Sequence, residues 1–244
     1  MQNGDIIKFV VFRFDPKSDE MPKYKTYDVP YREGMTVLDG LNYIIENIDP
    51  SLSIRFSCRQ GICGSCGMLI NGKYELACKT QVKEIIKNGT VKVEPLPHFP
   101  IIKDLVVDYS QLFEKLKRAK AYFISLDEDL EREFLQTPKQ RTKIDKYLDC
   151  VLCGACMSAC PVDETDWEFL GPAPLMRAYK FIGDNRDKGA IIRLKAITGI
   201  DGIWRCHLAY SCVEACPREL APAIAIRNLQ KIAFKWSLTG KISK

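Results

Sequence analysis

The pattern of apolar and polar positions changes character near residue 105 of this 244-residue chain. From Ile6 to Phe14 the residues are β-branched and aromatic, and Asp15-Pro16 ends the run, which predicts a strand. Tyr24 to Val29 predicts a second, shorter strand closed by Pro30 and a turn at Gly34. The period then switches to that of a helix: Val37, Leu38, Leu41, Ile44 and Ile45 share one face, and Asp49-Pro50 stops it. Thr36 suits the N-cap, with Asp39 three positions on as a relative of the capping box. Further along, Asn71-Gly72 between two apolar runs is a strong hairpin signal for a type I′ turn. A two-residue loop pairs Ile70 with Lys73, so Cys66 falls opposite Ala77 and Ser65 opposite Cys78. Val91 to Pro95 predicts the last strand, and Pro95, Pro97 and Pro100 break the chain.

After that break the periodicity is helical. Segments 108–124, 138–148, 172–183, 187–198 and 221–236 predict helices with few β signals between them. Charge clusters at Asp127–Glu133 and Lys139–Lys146 are expected to be solvated helix faces, the alternative being a docking surface. His98, in the linker, is expected to be an ordinary surface or packing histidine. The fold class expected is α+β: a β-grasp domain over 1–105, which begins strand, strand, helix, and a helical domain over 106–244.

Composition adds one decisive feature. The hydrophobic share of 46% and charged share of 27% are those of a soluble globular protein, but there are 11 cysteines. They cluster at metal-ligand spacings, which argues for a reducing compartment and bound metal. Met1–Asp5 lacks a basic region followed by an apolar run, so no signal or transit peptide is expected. No run of eighteen apolar residues occurs, so no membrane-spanning segment is expected either.

Cys58-x4-Cys63-x2-Cys66, completed by Cys78, has the plant-type spacing for a 2Fe-2S cluster. The hairpin register brings the fourth cysteine onto the loop that bears the other three. Gly61, Gly64 and Gly67 let that loop wrap tightly and bring backbone N–H groups near the sulfurs, in addition to ordinary turn chemistry. Structural zinc is the competing reading, although zinc sites usually present paired Cys-x2–4-Cys knuckles.

The run Cys150-x2-Cys153-x2-Cys156-x3-Cys160-Pro161 is the bacterial-ferredoxin pattern, in which the fourth cysteine ligates a second cluster. Its partner is Cys206-His207-Leu208-Ala209-Tyr210-Ser211-Cys212-Val213-Glu214-Ala215-Cys216-Pro217, where the pattern expects cysteine at 209 and finds alanine. By the crossed-ligand rule, Cys150, Cys153, Cys156 and Cys216 are expected to hold a 4Fe-4S cluster. Cys160, Cys206 and Cys212 are left as three ligands, for which a 3Fe-4S cluster is the natural product. All 11 cysteines are then used. With each oxidised site at a net charge of about −2, the formal +5 becomes about −1, so charge supports no nucleic-acid partner.

On these residues, together with Leu105-Val106-Val107-Asp108 and Gly171-Pro172-Ala173, the chain resembles the iron–sulfur subunit of succinate dehydrogenase or quinol:fumarate reductase. The resemblance covers almost the whole length. It implies an oxidoreductase subunit that relays single electrons between the FAD of a flavoprotein partner and a membrane quinone, through an anchor subunit. The two-iron domain would face the flavoprotein and the three-iron site the membrane. It further implies a peripheral position on the cytoplasmic side of a prokaryotic inner membrane, and a quinone near Pro161, Val162, Thr165, Trp204, Arg205 and His207. Thr165 stands where ubiquinone-reducing members carry tryptophan, and Trp167 is two positions displaced, which points toward a low-potential quinone such as menaquinone or toward a different anchor geometry. His207 could assist proton delivery or simply hydrogen-bond the cluster surroundings.

Other readings of the same cysteines are a free-standing carrier between soluble enzymes, a soluble thiol-linked fumarate reductase subunit and a metal-bound scaffold. The C-terminal segment Leu229–Lys244 mixes Ile232, Phe234, Trp236 and Leu238 with four lysines. It is expected to pack on a partner and end as a solvated tail, or else to lie at the membrane interface.

Overall fold

Period-two burial builds the sheet. In β1 (Ile6–Arg13) the side chains of Ile7, Phe9 and Val11 are buried, and in β2 (Lys23–Pro30) those of Tyr27 and Val29. With β3 (Gly67–Ile70), β4 (Lys73–Leu76) and β5 (Thr90–Glu94) they form a five-stranded sheet in the order β2-β1-β5-β3-β4. β1 and β5 run parallel and the other pairs antiparallel. The apolar stripe of α1 (Val37–Asn47) buries Val37, Leu38, Leu41 and Ile44 in the same core as β1 and β5. Thr36 caps the helix reciprocally with Asp39: Asp39 N donates to Thr36 Oγ1 at 3.2 Å, and Thr36 N to Asp39 Oδ2 at 2.9 Å.

The structure, a computed structural model, describes residues 2–125 and 132–242, so most of the acidic cluster Asp127–Glu133 lies outside the described residues. Two compact units account for the chain. The first is Met1–Tyr109 with Val151–Ala155, and the second is Ser110–Cys150 with Cys156–Lys244.

Two features of the first unit bear on its chemistry. The β3–β4 hairpin pairs Ile70 with Lys73, and Asn71 (φ 49°) and Gly72 (φ 78°) are both left-handed, as a type I′ turn requires. The register continues past the strands, where Ala77 N donates to Cys66 O at 3.1 Å. The first unit also contains the short α2 (Val82–Ile85) and a small hairpin, β6 (Ile101–Lys103) with β7 (Val106–Val107). This hairpin was not expected from the sequence, because the prolines around it read as a break.

A polar cluster ties the end of α1 to β1 and β2. Asp49 Oδ2 accepts from Arg13 Nη1, Lys25 Nζ and Tyr27 Oη, each at 2.8 Å. These bonds, that from Lys25 foremost, hold the Asp49 carboxyl far below the usual carboxylate range. Its contribution to stability is complete above the unfolded carboxylate pKa of about 4 and is lost as pH falls toward the folded value. The melting temperature of the protein should therefore fall on acidification below about pH 5. Asp49→Asn should flatten that slope; an unchanged pH profile in this variant would assign the dependence to other carboxylates.

In the second unit, α3 (Ser110–Arg118), α4 (Pro138–Thr142) and α5 (Asp145–Leu148) precede the cysteine run. Then come α6 (Ala155–Ser158), α7 (Pro161–Thr165), α8 (Pro172–Gly183), α9 (Ala190–Ile197), a 3-10 turn at Ile203–Arg205, α10 (Ser211–Glu214) and α11 (Pro222–Thr239). Leu175, Leu194, Ile197, Ile203, Ile226 and Leu229 lie in its core. The helix expected over 108–124 stops at Arg118: Lys120 has φ 50°, and Arg193 takes the carbonyls of Lys120 and Tyr122 at 2.8 Å each. A side chain there replaces helical partners. The expected 138–148 helix is two short ones, because Ile144 turns inward to 1% exposure between them. Among the described residues no helix is long and apolar enough to cross a membrane.

Candidate functional site

In the first unit, Cys58, Cys63 and Cys66 stand on the loop before β3, and Cys78 follows β4. The loop turns its amides onto sulfur. Cys58 Sγ accepts from the N–H groups of Gln60 (3.4 Å), Ile62 (3.3 Å) and Cys63 (3.3 Å), and Cys63 Sγ from that of Cys58 at 3.5 Å. Gly61 N donates to Cys78 Sγ at 3.1 Å, which closes the loop onto the hairpin. Arg59, directly after Cys58, pays for this wrapping with a left-handed backbone (φ 57°). Burial would raise Cys63, but hydrogen bonds from Ser65 and from the Cys58 amide outweigh it and hold the thiol at about 6. Burial pushes Cys66, deeper and beside Cys78, up to about 12.

The second unit gathers a different set. Cys160, Cys206, Cys212 and Ala209 all line one cavity, together with Pro161, Val162 and His207. Its sulfurs also face amides. Cys160 is the N-cap residue of α7; the backbone amides of Val162 and Asp163 act to lower its pKa, as that of Leu208 does for Cys206 and that of Ala223, in the first turn of α11, for Cys212. Burial raises all three thiols, Cys212 to about 12, and the charges of Cys160 and Cys206 add to the effect on Cys212. Leu208 (φ 55°) and Tyr210 (φ 62°) are left-handed on either side of Ala209. Nothing in the spacing of the motif reveals that strain. Lys115, buried on α3, donates to Asp163 Oδ1 and anchors α7 from behind.

Elsewhere in the second unit, Cys150 and Cys216 pack against the cluster of Met176, Leu220 and Ala225, and Leu220 N donates to Cys216 Sγ at 3.3 Å. Cations surround this place. Lys180, 8% exposed and influenced by Cys150, is pushed down to about 8 by burial and by Arg177. Arg218 reaches Asp149, next to Cys150, at 4.0 Å. The buried Nε–H groups of Arg177 and Arg218 lack a hydrogen-bond partner among the described residues. Buried cationic N–H groups without a partner fit an anionic inorganic group in their surroundings. The sequence reading missed these three cations because they lie outside the cysteine motif, on α8 and after Cys216. Cys156 lies on α6, whereas Cys153 is built into the first unit, where Tyr109 Oη donates to its carbonyl at 3.0 Å. Among the described residues no three cysteine, histidine or carboxylate groups converge on a single-ion spacing.

The residues expected near a quinone divide in two. Pro161, Val162 and His207 line the cavity, but Thr165, Trp204 and Arg205 are not in its wall. Thr165 Oγ1 bonds back to the carbonyls of Pro161 (3.1 Å) and Val162 (3.3 Å), Arg205 Nε pairs with Asp166 at 2.7 Å, and Trp204 is half exposed.

A mixed ferredoxin-like sheet followed by a helical unit, each carrying amide-wrapped thiols, defines an iron–sulfur protein with an α+β fold. Known proteins agree. A family model of a 2Fe-2S iron–sulfur cluster binding domain matches residues 8–114, and one of a 4Fe-4S dicluster domain matches 146–220. The chain is 41% identical over 240 residues to the fumarate reductase iron–sulfur subunit of Haemophilus influenzae, covering 93% of each. It is 40% identical over 243 residues to the Mycobacterium tuberculosis fumarate reductase subunit (95% and 98%). It is also 40% identical over 239 residues to the succinate dehydrogenase iron–sulfur subunit of Coxiella burnetii (96% and 99%). Among solved structures, a chain of the Mycobacterium smegmatis Sdh1 complex in the apo form superposes with a TM-score of 0.83 at 24% identity, covering 98% of each. The chain belongs to the family of succinate dehydrogenase and fumarate reductase iron–sulfur subunits, components of an oxidoreductase.

Proposed function

We propose that this chain relays single electrons between the FAD of a flavoprotein subunit and a membrane quinone. The ligand sets in this reading are Cys58, Cys63, Cys66 and Cys78 for 2Fe-2S, and Cys150, Cys153, Cys156 and Cys216 for 4Fe-4S. Cys160, Cys206 and Cys212 hold 3Fe-4S. The observation that carries it is the cavity where those last three thiols and Ala209 share one wall. Bound clusters would supply one-electron redox chemistry, while the protein sets their potentials through amide bonds to sulfur and through buried charge. Backbone amides near Cys160 and Cys212 work against the burial that raises both thiols, without cancelling it.

The chain contributes no bond-breaking side chain in this reading; dicarboxylate chemistry belongs to the flavoprotein. An anchor subunit would hold it on the cytoplasmic face of a prokaryotic inner membrane. Quinone would approach the His207 side of the cavity, menaquinone being favoured by Thr165.

Electron paramagnetic resonance of the purified complex tests the assignment. Cys160→Ser should abolish the near-isotropic signal of the oxidised three-iron centre and leave the reduced two-iron signal intact. Loss of the two-iron signal with the oxidised one unchanged would overturn it. A free-standing carrier would instead run as a 27.8 kDa monomer with no flavoprotein attached.

A further inference from the structure

We infer that Gly67 and Gly64 are positioning residues for electron transfer, holding the two-iron loop against the backbone of Cys153. The inference deepens the proposed relay and rests on the reading of Cys153 as a four-iron ligand. Its basis lies wholly inside the first unit, to which Val151–Ala155 belongs.

A methyl group on Gly67, the residue after ligand Cys66, would lie 2.8 Å from the carbonyl oxygen of Cys153 and 3.4 Å from its Cβ. One on Gly64, between Cys63 and Cys66, would collide with the carbonyl oxygen of Val151 and stand 3.1 Å from the N and Cα of Cys153. Such contacts leave no space for any side chain. The segment is also fixed from its other side. Tyr109 Oη holds the Cys153 carbonyl at 3.0 Å, Gly154 packs on Tyr109, Leu96 and Phe99, and Cys153 and Ala155 are buried in the first core. Leu152 is strained into the left-handed region (φ 54°), a cost that the surrounding packing must offset.

The route therefore runs along Cys66 and Gly67, across one van der Waals contact, and into Cys153. One electron leaves the reduced two-iron cluster and enters the oxidised four-iron cluster; no bond forms or breaks and no proton moves. Both glycines act by distance alone, since neither offers a donor side chain.

Gly67→Ala is the cleaner test, because Gly67 lies outside the left-handed region and only the contact changes. In the dithionite-reduced holo complex, it should weaken the spin–spin broadening of the two-iron signal by the four-iron cluster. The relaxation time of that signal should lengthen several-fold, at unchanged iron and sulfide content. Gly64→Ala should do the same. Gly89→Ala, with the same φ of 72° as Gly64 but no atom within 4 Å of the added methyl, should leave relaxation unchanged. Tyr109→Phe, which leaves both loops' backbones intact and removes only the hydrogen bond to Cys153, should give a smaller shift in the same direction.

Wild-type relaxation in Gly67→Ala and Tyr109→Phe, with both clusters present, would overturn the inference while leaving the relay standing. Retention of a full four-iron signal in Cys153→Ser would instead remove the ligand reading beneath it.

Discussion

In the proposed ligand set, replacing Ala209 with cysteine is expected to convert the three-iron centre into a four-iron one and to abolish the near-isotropic signal of the oxidised protein. Ala209 shares the cavity wall with Cys160, Cys206 and Cys212, so the new thiol would start beside the three that are present. The left-handed residues Leu208 and Tyr210 fix the backbone on both sides of it, which leaves only the side-chain rotamer to adjust. A fourth thiolate adds negative charge to a buried site, so the potential of that centre should fall. Redox titration followed by paramagnetic resonance reads both effects. A three-iron spectrum that persists in the variant, at full expression and iron content, would show that position 209 does not face the cluster.

The largest expected stability effect lies at Arg193, away from every cysteine. Its guanidinium meets both oxygens of Asp187 at 2.9 Å, and both side chains are 0% exposed. Asp187 in turn accepts from the N–H groups of Ile124 (2.9 Å) and Gly189 (2.8 Å), so the pair ties the chain after α3 to the start of α9. Removing one partner leaves the other charge buried without compensation, at a cost of about 3–5 kcal/mol. With about 2–4 °C per kcal/mol for a protein of this size, Arg193→Met should lower the melting temperature by roughly 10 °C. Calorimetry of Arg193→Met, Asp187→Leu and the double variant should show the double losing less than the sum of the singles. Full additivity would mean that the pair is not coupled.

What the sequence made legible was local. The hairpin at Asn71-Gly72, the cap at Thr36 and the helix over 172–183 each rest on residues a few positions apart, and each forms as expected. The gathering of Cys160, Cys206, Ala209 and Cys212 around one cavity was anticipated by a spacing rule, which encodes tertiary proximity in a short motif. The features missed depend on distant partners. Arg193 reads as one more helix-surface cation until the carbonyls of Lys120 and Tyr122 are seen around it. The β6–β7 hairpin forms where Leu105 and Val107 can be buried, a benefit that proline counting does not register. Of the residues grouped around a quinone, Thr165 and Arg205 bond local partners and Trp204 is half exposed.

The return of Val151–Ala155 to the first core has a consequence for how the chain is made. A polypeptide leaving the ribosome has all five strands once Glu94 is out, yet its core still lacks Cys153 and Ala155. Until those residues emerge, the surfaces of Gly64 and Gly67 have nothing to close against. Completion of the N-terminal core thus waits for the segment Val151–Ala155, which includes Cys153. A nascent chain arrested at Tyr109 would present an unfinished fold to the machinery that delivers iron and sulfide.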